Sequence, residues 1–188
     1  MRGMKTILPA CLAALLLACG SGNDAGPADS GSAHAGTIKL SSTSFRDGDP
    51  IPAAYTPDGE DRAPELHWEG VPAGAKSLAL LCDDPDAPGG SFTHWIVVDM
   101  LPGTPMILEG APKTRMLMNG GMHGVNSFGT IGWGGPCPPS GTHHYVFTLF
   151  ALDYQPKFEK EPTREEFDAA VKDHVLATGK LTGLYSAK

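Results

Sequence analysis

From residue 37 onward the chain alternates short apolar runs with proline and glycine, 17 and 24 of them in 188 residues. Proline lacks the amide a helix interior needs, and glycine gives up the most backbone entropy there, so this punctuation disfavours helices and favours strands joined by turns. The clearest strands are SLALLCD (77–83), HWIVVDM (94–100) and HYVFTLFALD (144–153). Each carries apolar residues at both alternating positions, the pattern of a strand covered on both faces. A sheet covered twice points to a mainly β sandwich.

One helix is signalled near the C-terminus. Thr163 and Glu166 have capping-box spacing, Phe167, Ala170, Val171, His174 and Val175 recur on one face, and Gly179 supplies a stop. This helix is expected to pack on the sheet, with His174 at the edge of the core.

The N-terminus reads differently. Arg2 and Lys5 precede ILPACLAALLLA, an apolar run too short for a transmembrane helix and typical of an export signal. It ends in LLACG, similar to the lipobox of bacterial lipoproteins, in which the cysteine, here Cys19, is lipidated and becomes the first mature residue. An ordinary secretory signal requires only small residues there. Residues 20–36, GSGNDAGPADSGSAHAG, lack the bulky apolar groups that folding needs and read as a tether. The expected organisation is a signal peptide over 1–18, a tether over 19–36 and one domain over 37–188. The expected location is the cell envelope, through the N-terminal lipid. In a Gram-negative cell that means the periplasmic face of the outer membrane, because Gly20 stands where an aspartate would retain the protein at the inner one.

Loss of residues 1–18 removes Arg2 and Lys5 and moves the formal charge from −7 to −9. So acidic a surface excludes nucleic acid as a natural partner, yet leaves room for a local anion site, since screening confines such fields to about 8 Å at physiological salt. Within the domain only Cys82 and Cys137 remain, and whether they form a disulfide is open at this level.

Three stretches gather the unusual polar residues: CDDPDAP (82–88), THWIVV (93–98) and GGPCPPSGTHHY (134–145). Asp84, Asp86 and Pro88 close one strand, while His94 and Trp95 open another. In the third, glycines let backbone amides approach a bound oxygen and prolines stiffen the path, so the loop is expected to form an anion-binding wall around Gly135, Pro136 and Cys137. Alternation then puts His143 and Tyr145 on one face of the strand and His144 on the other. Adjacent histidines on a strand diverge, and neither HExxH nor paired CxxC spacing occurs, so a metal would have to gather His94, His143 and one aspartate. Taken singly, each of these residues also has an ordinary reading as a turn former or core-edge histidine.

Taken together and in order, DPDAP, the strand-opening HW and GGPCPPSGTHHY resemble the phosphatidylethanolamine-binding protein family, in its bacterial, Raf-kinase-inhibitor-like branch. FRDGDPIPAAYTPDGEDRAPELHWEGVPAGAKSLAL, VNSFGTIGWGGPCPP and HVLATGKLTGLYS extend the resemblance over residues 37–186. The resemblance implies a sandwich of one large antiparallel-rich sheet and one smaller sheet with a C-terminal helix, and a small pocket for phosphate-like anions or phospholipid headgroups. Carried over position by position, Asp84, His94, His143 and Tyr145 are the ligand-binding side chains, with Gly135 and Pro136 beside them and Asp86, Pro88, Trp95 and Cys137 in support. Two departures stand out: His144 replaces the family's usual arginine, and Trp133 a common tyrosine. Imidazole, phenol and amide donors suit an oxyanion, a dianion above all, through charge-assisted bonds of about 1.5–3 kcal/mol each.

The expected function is therefore a non-catalytic, envelope-anchored binding protein, with a regulated protein partner as a further expectation and no cofactor or metal. Two other classes compete. One is a protein-interaction module such as a protease inhibitor; the other is a hydrolase, for which GxSxG is missing and Ser140 sits in a Pro-Ser-Gly turn.

Overall fold

The computed structural model of the protein describes residues 36–118 and 120–188; the signal peptide, Cys19 and nearly all of the tether lie outside the described residues. The strands are β1 (Gly36–Thr37), β2 (Lys39–Ser41), β3 (Leu66–Glu69), β4 (Ser77–Asp84), β5 (Phe92–Met100), β6 (Met106–Ile107), β7 (Met122–His123), β8 (Thr142–Leu152) and β9 (Val175–Ser186), with one helix, α1 (Arg164–Val171). A six-stranded sheet runs β1-β9-β8-β4-β5-β7 and a three-stranded sheet runs β2-β3-β6. All pairings are antiparallel except β1 with β9.

The doubly apolar strands sit at the centre of the larger sheet, as their composition predicts. Leu78, Leu80 and Cys82 of β4 face the smaller sheet together with Phe147 and Leu149 of β8, meeting Leu40, Leu66, Trp68 and Ile107. The intervening Ala79 and Leu81 face the opposite way, with Ile96, Val98 and Phe167 of α1. Two layers of apolar burial on one sheet thus account for the sandwich, each fully buried large side chain contributing about 1.5–3 kcal/mol.

The helix starts where its sequence says and stops earlier. Thr163 caps it: the Glu166 amide donates to Thr163 Oγ1 at 3.3 Å, and the Thr163 amide donates to Glu166 Oε2 at 2.8 Å. It ends at Val171, and Asp173 turns the chain through a left-handed conformation at φ 65°. His174 and Val175 are therefore not on the helix, and Gly179 does not stop it. Gly179 pairs with Leu149 inside β9, where an added Cβ would lie 2.6 Å from the Ile38 carbonyl oxygen. Eleven residue pairs along β8 outweigh the helical periodicity of a few apolar positions, the usual way tertiary pairing overrides local preference. His174 lies half-buried in the turn, with its Nδ1 2.7 Å from Asp153 Oδ1.

The helix is fastened beside the strands that carry the site. Arg164 donates to Asp83 Oδ2 on β4 and, at 2.9 Å, to Thr93 Oγ1 on β5, while the Thr93 hydroxyl donates to Asp83 Oδ1 at 2.8 Å.

Candidate functional site

The site forms at one end of the larger sheet, where β4 ends, β5 begins and β8 begins. Along β8 the burial alternates as the period of two predicts: His143 and Tyr145 are buried, His144 exposed. On β4, Cys82 pairs with Phe147 and Asp83 with Val146, so Asp84 comes up on the face of Tyr145 and His143. His143 Nδ1 lies 2.6 Å from Asp84 Oδ2, and the Asp86 amide donates to Asp84 Oδ1 at 2.9 Å. Both carboxylate oxygens are thereby used, and the buried acid serves to hold His143 and the Asp84–Asp86 turn.

His94 reaches the site through an irregularity. Cys82 pairs with Trp95 and Asp83 with Thr93, which leaves His94 as the extra residue of a β-bulge. Because of it, Thr93 faces Arg164 on the helix side and Trp95 enters the core between the sheets, while His94 stands edge-on to the Tyr145 ring with centroids 5.0 Å apart. His94 is then pinned twice: Nδ1–H donates to the Gly134 carbonyl at 2.6 Å, and the Gly134 amide donates to the His94 carbonyl at 3.0 Å. A carbonyl only accepts, so the proton sits on Nδ1 and Nε2 is the nitrogen left for a ligand. Burial pushes the His94 pKa below its ordinary value, against the pull of Gly134 and Asp84, so the imidazole is neutral near pH 7.

Asp84, His94 and Tyr145 border a cavity of about 350 Å³, whose lining also includes Pro88, Phe128 and Cys137; His143, expected among the ligand-binding side chains, is not part of that lining and reaches the site only through Asp84. Tyr145 is fully buried and its hydroxyl has no hydrogen-bond partner. Burial, followed by the Asp84 charge, raises its pKa far above that of a free phenol, so it is a permanent donor. A second cavity of about 330 Å³ lies by β6 and is walled mostly by apolar groups such as Ile107, Leu108, Ala111, Leu117 and Met118, a lining with no anion chemistry.

The proline–glycine loop works differently from the expectation. The Gly135 amide donates to Asp61 Oδ1 at 2.8 Å, and the Gly134 amide is spent on His94. Neither amide faces the cavity as an anion nest, and Gly135 and Pro136 are buried behind the wall. The glycines are there for packing: a Cβ on Gly134 would sit 2.6 Å from the Phe128 ring, and one on Gly135 2.5 Å from both Asp61 Oδ1 and the Tyr55 carbonyl oxygen. Asp61 is itself tied to Lys113 Nζ at 2.7 Å. Trp95 also stays off the wall, packed edge-on against Trp133 at 5.7 Å. Trp133, one of the two departures, stacks on Phe147 at 5.6 Å and donates from Nε1 to the Tyr55 carbonyl at 3.0 Å, which makes it a core residue.

Asp86 is on the rim outside the cavity. It accepts from the His144 amide at 2.8 Å and pairs with His144 Nδ1 at 2.7 Å, bonds that hold its carboxyl below the usual range. The second departure, His144, thus belongs to this exposed pair. Cys82 and Cys137 are both free thiols; Cys82 is enclosed in the core and Cys137 is exposed at the cavity. Among the described residues no three His, Cys, Asp or Glu side chains are placed to hold a metal ion.

Phe92 and Phe128, which complete the aromatic wall, are the residues the motif reading missed. Their rings meet edge-to-face at 4.8 Å, and Phe128 stands 5.5 Å from the His94 ring. The organiser of the Phe128 loop is buried Asn126, whose Oδ1 accepts from the amides of Phe128 at 3.0 Å and Thr130 at 3.1 Å. An Asn followed by Ser-Phe-Gly is an Asx-turn signature, and that signal was available in the sequence.

Residues 41–186 match the family model described as phosphatidylethanolamine-binding protein. A UPF0098 protein of Methanothermobacter thermautotrophicus is 45% identical over 148 residues, covering 79% of this chain and 98% of the relative. A Mycobacterium tuberculosis protein bearing the lipoprotein name LppC is 38% identical over 150 residues, covering 79% of this chain and 72% of its own. Among solved structures, the PEBP homologue CT736 of Chlamydia trachomatis superposes with a TM-score of 0.74 at 35% identity, over 82% of this chain and 100% of that one. Escherichia coli YbcL, described as a member of the mammalian PEBP family, superposes with a TM-score of 0.74 at 29% identity, over 80% of this chain and 99% of its own. With the family model matched over residues 41–186, a relative 45% identical over nearly its whole length and a shared fold, the chain belongs to the phosphatidylethanolamine-binding protein family.

Proposed function

We propose that the domain is a non-catalytic receptor for a small phosphate-like anion, free or at the head of a phospholipid, held at the cell envelope by lipid on Cys19. The observation that carries this reading is the buried, unpartnered Tyr145 hydroxyl on the cavity that His94 also lines. An unpaired buried hydroxyl costs about 1–3 kcal/mol, a cost that a ligand oxygen removes. The phenol suits a donor and not a nucleophile, since burial opposes its ionisation.

Lysine and arginine are not among the residues lining the cavity, so the positive charge for an anion has to come from His94. Its Nε2 accepts until it is protonated, and only the protonated ring donates to a fully ionised oxyanion. Anion capture is thereby coupled to proton uptake at His94. The preference for a dianion expected from the motifs holds only with that proton in place. The family's name supports a phosphate-bearing ligand, and the lipoprotein name of the mycobacterial relative supports the anchor.

Calorimetric titration of the full chain with inorganic phosphate and with phosphoethanolamine, at pH 6 and pH 8, tests the receptor. Saturable binding, tighter at pH 6 and with a heat that depends on buffer ionisation, is expected. Absence of heat up to millimolar ligand at both pH values removes the proposal. Metabolic labelling with palmitate that persists in a Cys19→Ala variant removes the anchor.

A further inference from the structure

Cys137 has no task in the scheme above, yet it is an exposed thiol on the wall of the binding cavity. It has no exchange partner within the folded domain, because Cys82, the other described cysteine, is 0% exposed. Pro136, Pro138 and Pro139 flank it, and their fixed φ angles hold its Cα in place, so the thiol cannot swing away with its loop. Pro138 and Pro139 line the same cavity.

Two observations independent of the cysteine point to an occupant. The cavity, about 350 Å³, falls in the size range of small-molecule sites. The Tyr145 hydroxyl, on a fully buried residue that lines it, still needs an acceptor.

We infer that Cys137 is a thiol-modification site for small organic disulfides, and that the resulting adduct seats its organic half in the cavity against His94 and Tyr145, shutting out the anion. The Cys137 thiolate attacks one sulfur of R–S–S–R. The Cys137–S–S–R bond forms as the original S–S bond breaks, and the departing R–S⁻ takes up the proton that Cys137 gave up. The disulfide itself is the oxidant, and a second thiol reverses the step. Outside the cytoplasm, where disulfides persist, the site would be open to small anions only while Cys137 is reduced. This last consequence rests on the proposed receptor function; the modification and its seating do not.

The test uses the full chain with the uncharged bis(2-hydroxyethyl) disulfide and a Cys137→Ser variant beside it. Peptide mapping locates the 2-mercaptoethanol adduct, NMR follows the His94 Cε1–H resonance, and phosphate is titrated before treatment, after it and after dithiothreitol. Expected are an adduct on Cys137, a His94 shift that the serine variant lacks, and a phosphate affinity weakened at least tenfold and restored by reduction. Lack of an adduct at Cys137, or an adduct that leaves His94 unmoved, overturns the inference. A shifted His94 with unchanged phosphate affinity overturns the exclusion of the anion. Should the untreated protein bind no phosphate, the receptor reading fails, while the mapping and the His94 resonance still decide the seating.

Discussion

Tyr145→Phe deletes one oxygen and separates a ligand-binding role from a structural one by the sign of two effects. The ring is fully buried and stays, packed edge-on to His94 at 5.0 Å; only the hydroxyl without a partner is lost. Its removal relieves an unmet polar group, for which the cost is about 1–3 kcal/mol, and at a cavity wall the lower end applies. A gain of about 1 kcal/mol raises the melting temperature of a domain this size by about 2–4 °C. Phosphate binding should move the other way, losing one charge-assisted bond of about 1.5–3 kcal/mol, or about 10- to 150-fold in affinity. Thermal unfolding by circular dichroism and calorimetric titration at pH 6 give both numbers on one preparation. A variant that melts lower than the parent, or binds phosphate within twofold of it, would falsify the assignment of Tyr145 as a ligand donor.

Asp84→Ala should cost about 1–3 kcal/mol in urea unfolding, because it strands the buried His143 Nδ1, 2.6 Å away, and the Asp86 amide; a loss under about 0.5 kcal/mol, the size of an ordinary surface change, would show the pair to be dispensable. Burial depresses the pKa of both His94 and His123 below 6.5, so the unfolded chain takes up these protons first. Their contribution is complete above about pH 6.5 and is lost as pH falls through the folded values. The urea midpoint should therefore drop between pH 7 and pH 5, and phosphate, by favouring protonated His94, should offset part of the drop; a midpoint that rises over this interval contradicts the burial argument. Gly135→Ala forces a Cβ against Asp61 and the Tyr55 carbonyl and should destabilise by about 1–3 kcal/mol while also weakening phosphate binding through His94; unaltered stability would mean that the loop has slack.

Much of the site was legible before folding because short-range rules govern it. The period of two on β8 separates His143 and Tyr145 from His144 whatever the strand packs against, and the structure has that alternation. The capping box at Thr163 is likewise local, and so is the Asx turn at Asn126 that the motif reading passed over. The helix end was misjudged for the opposite reason. From His174 on, the pattern of a few apolar positions fits a helix as well as a strand, and β8, distant in sequence, chooses between them.

The doubly apolar strands, the turns between them and the set of polar groups at their ends follow from the order of residues alone, since backbone propensity and side-chain periodicity depend on near neighbours. What those groups do is set by long-range packing. The bulge that turns His94 toward Tyr145 exists because β4 and β5 pair out of step. The loop amides are spent on Asp61 and His94 and not on a ligand because those partners arrive from elsewhere in the chain. A hydrogen bond's value to a ligand depends on whether the protein has already used it, and that is settled only when every competing donor and acceptor has its place.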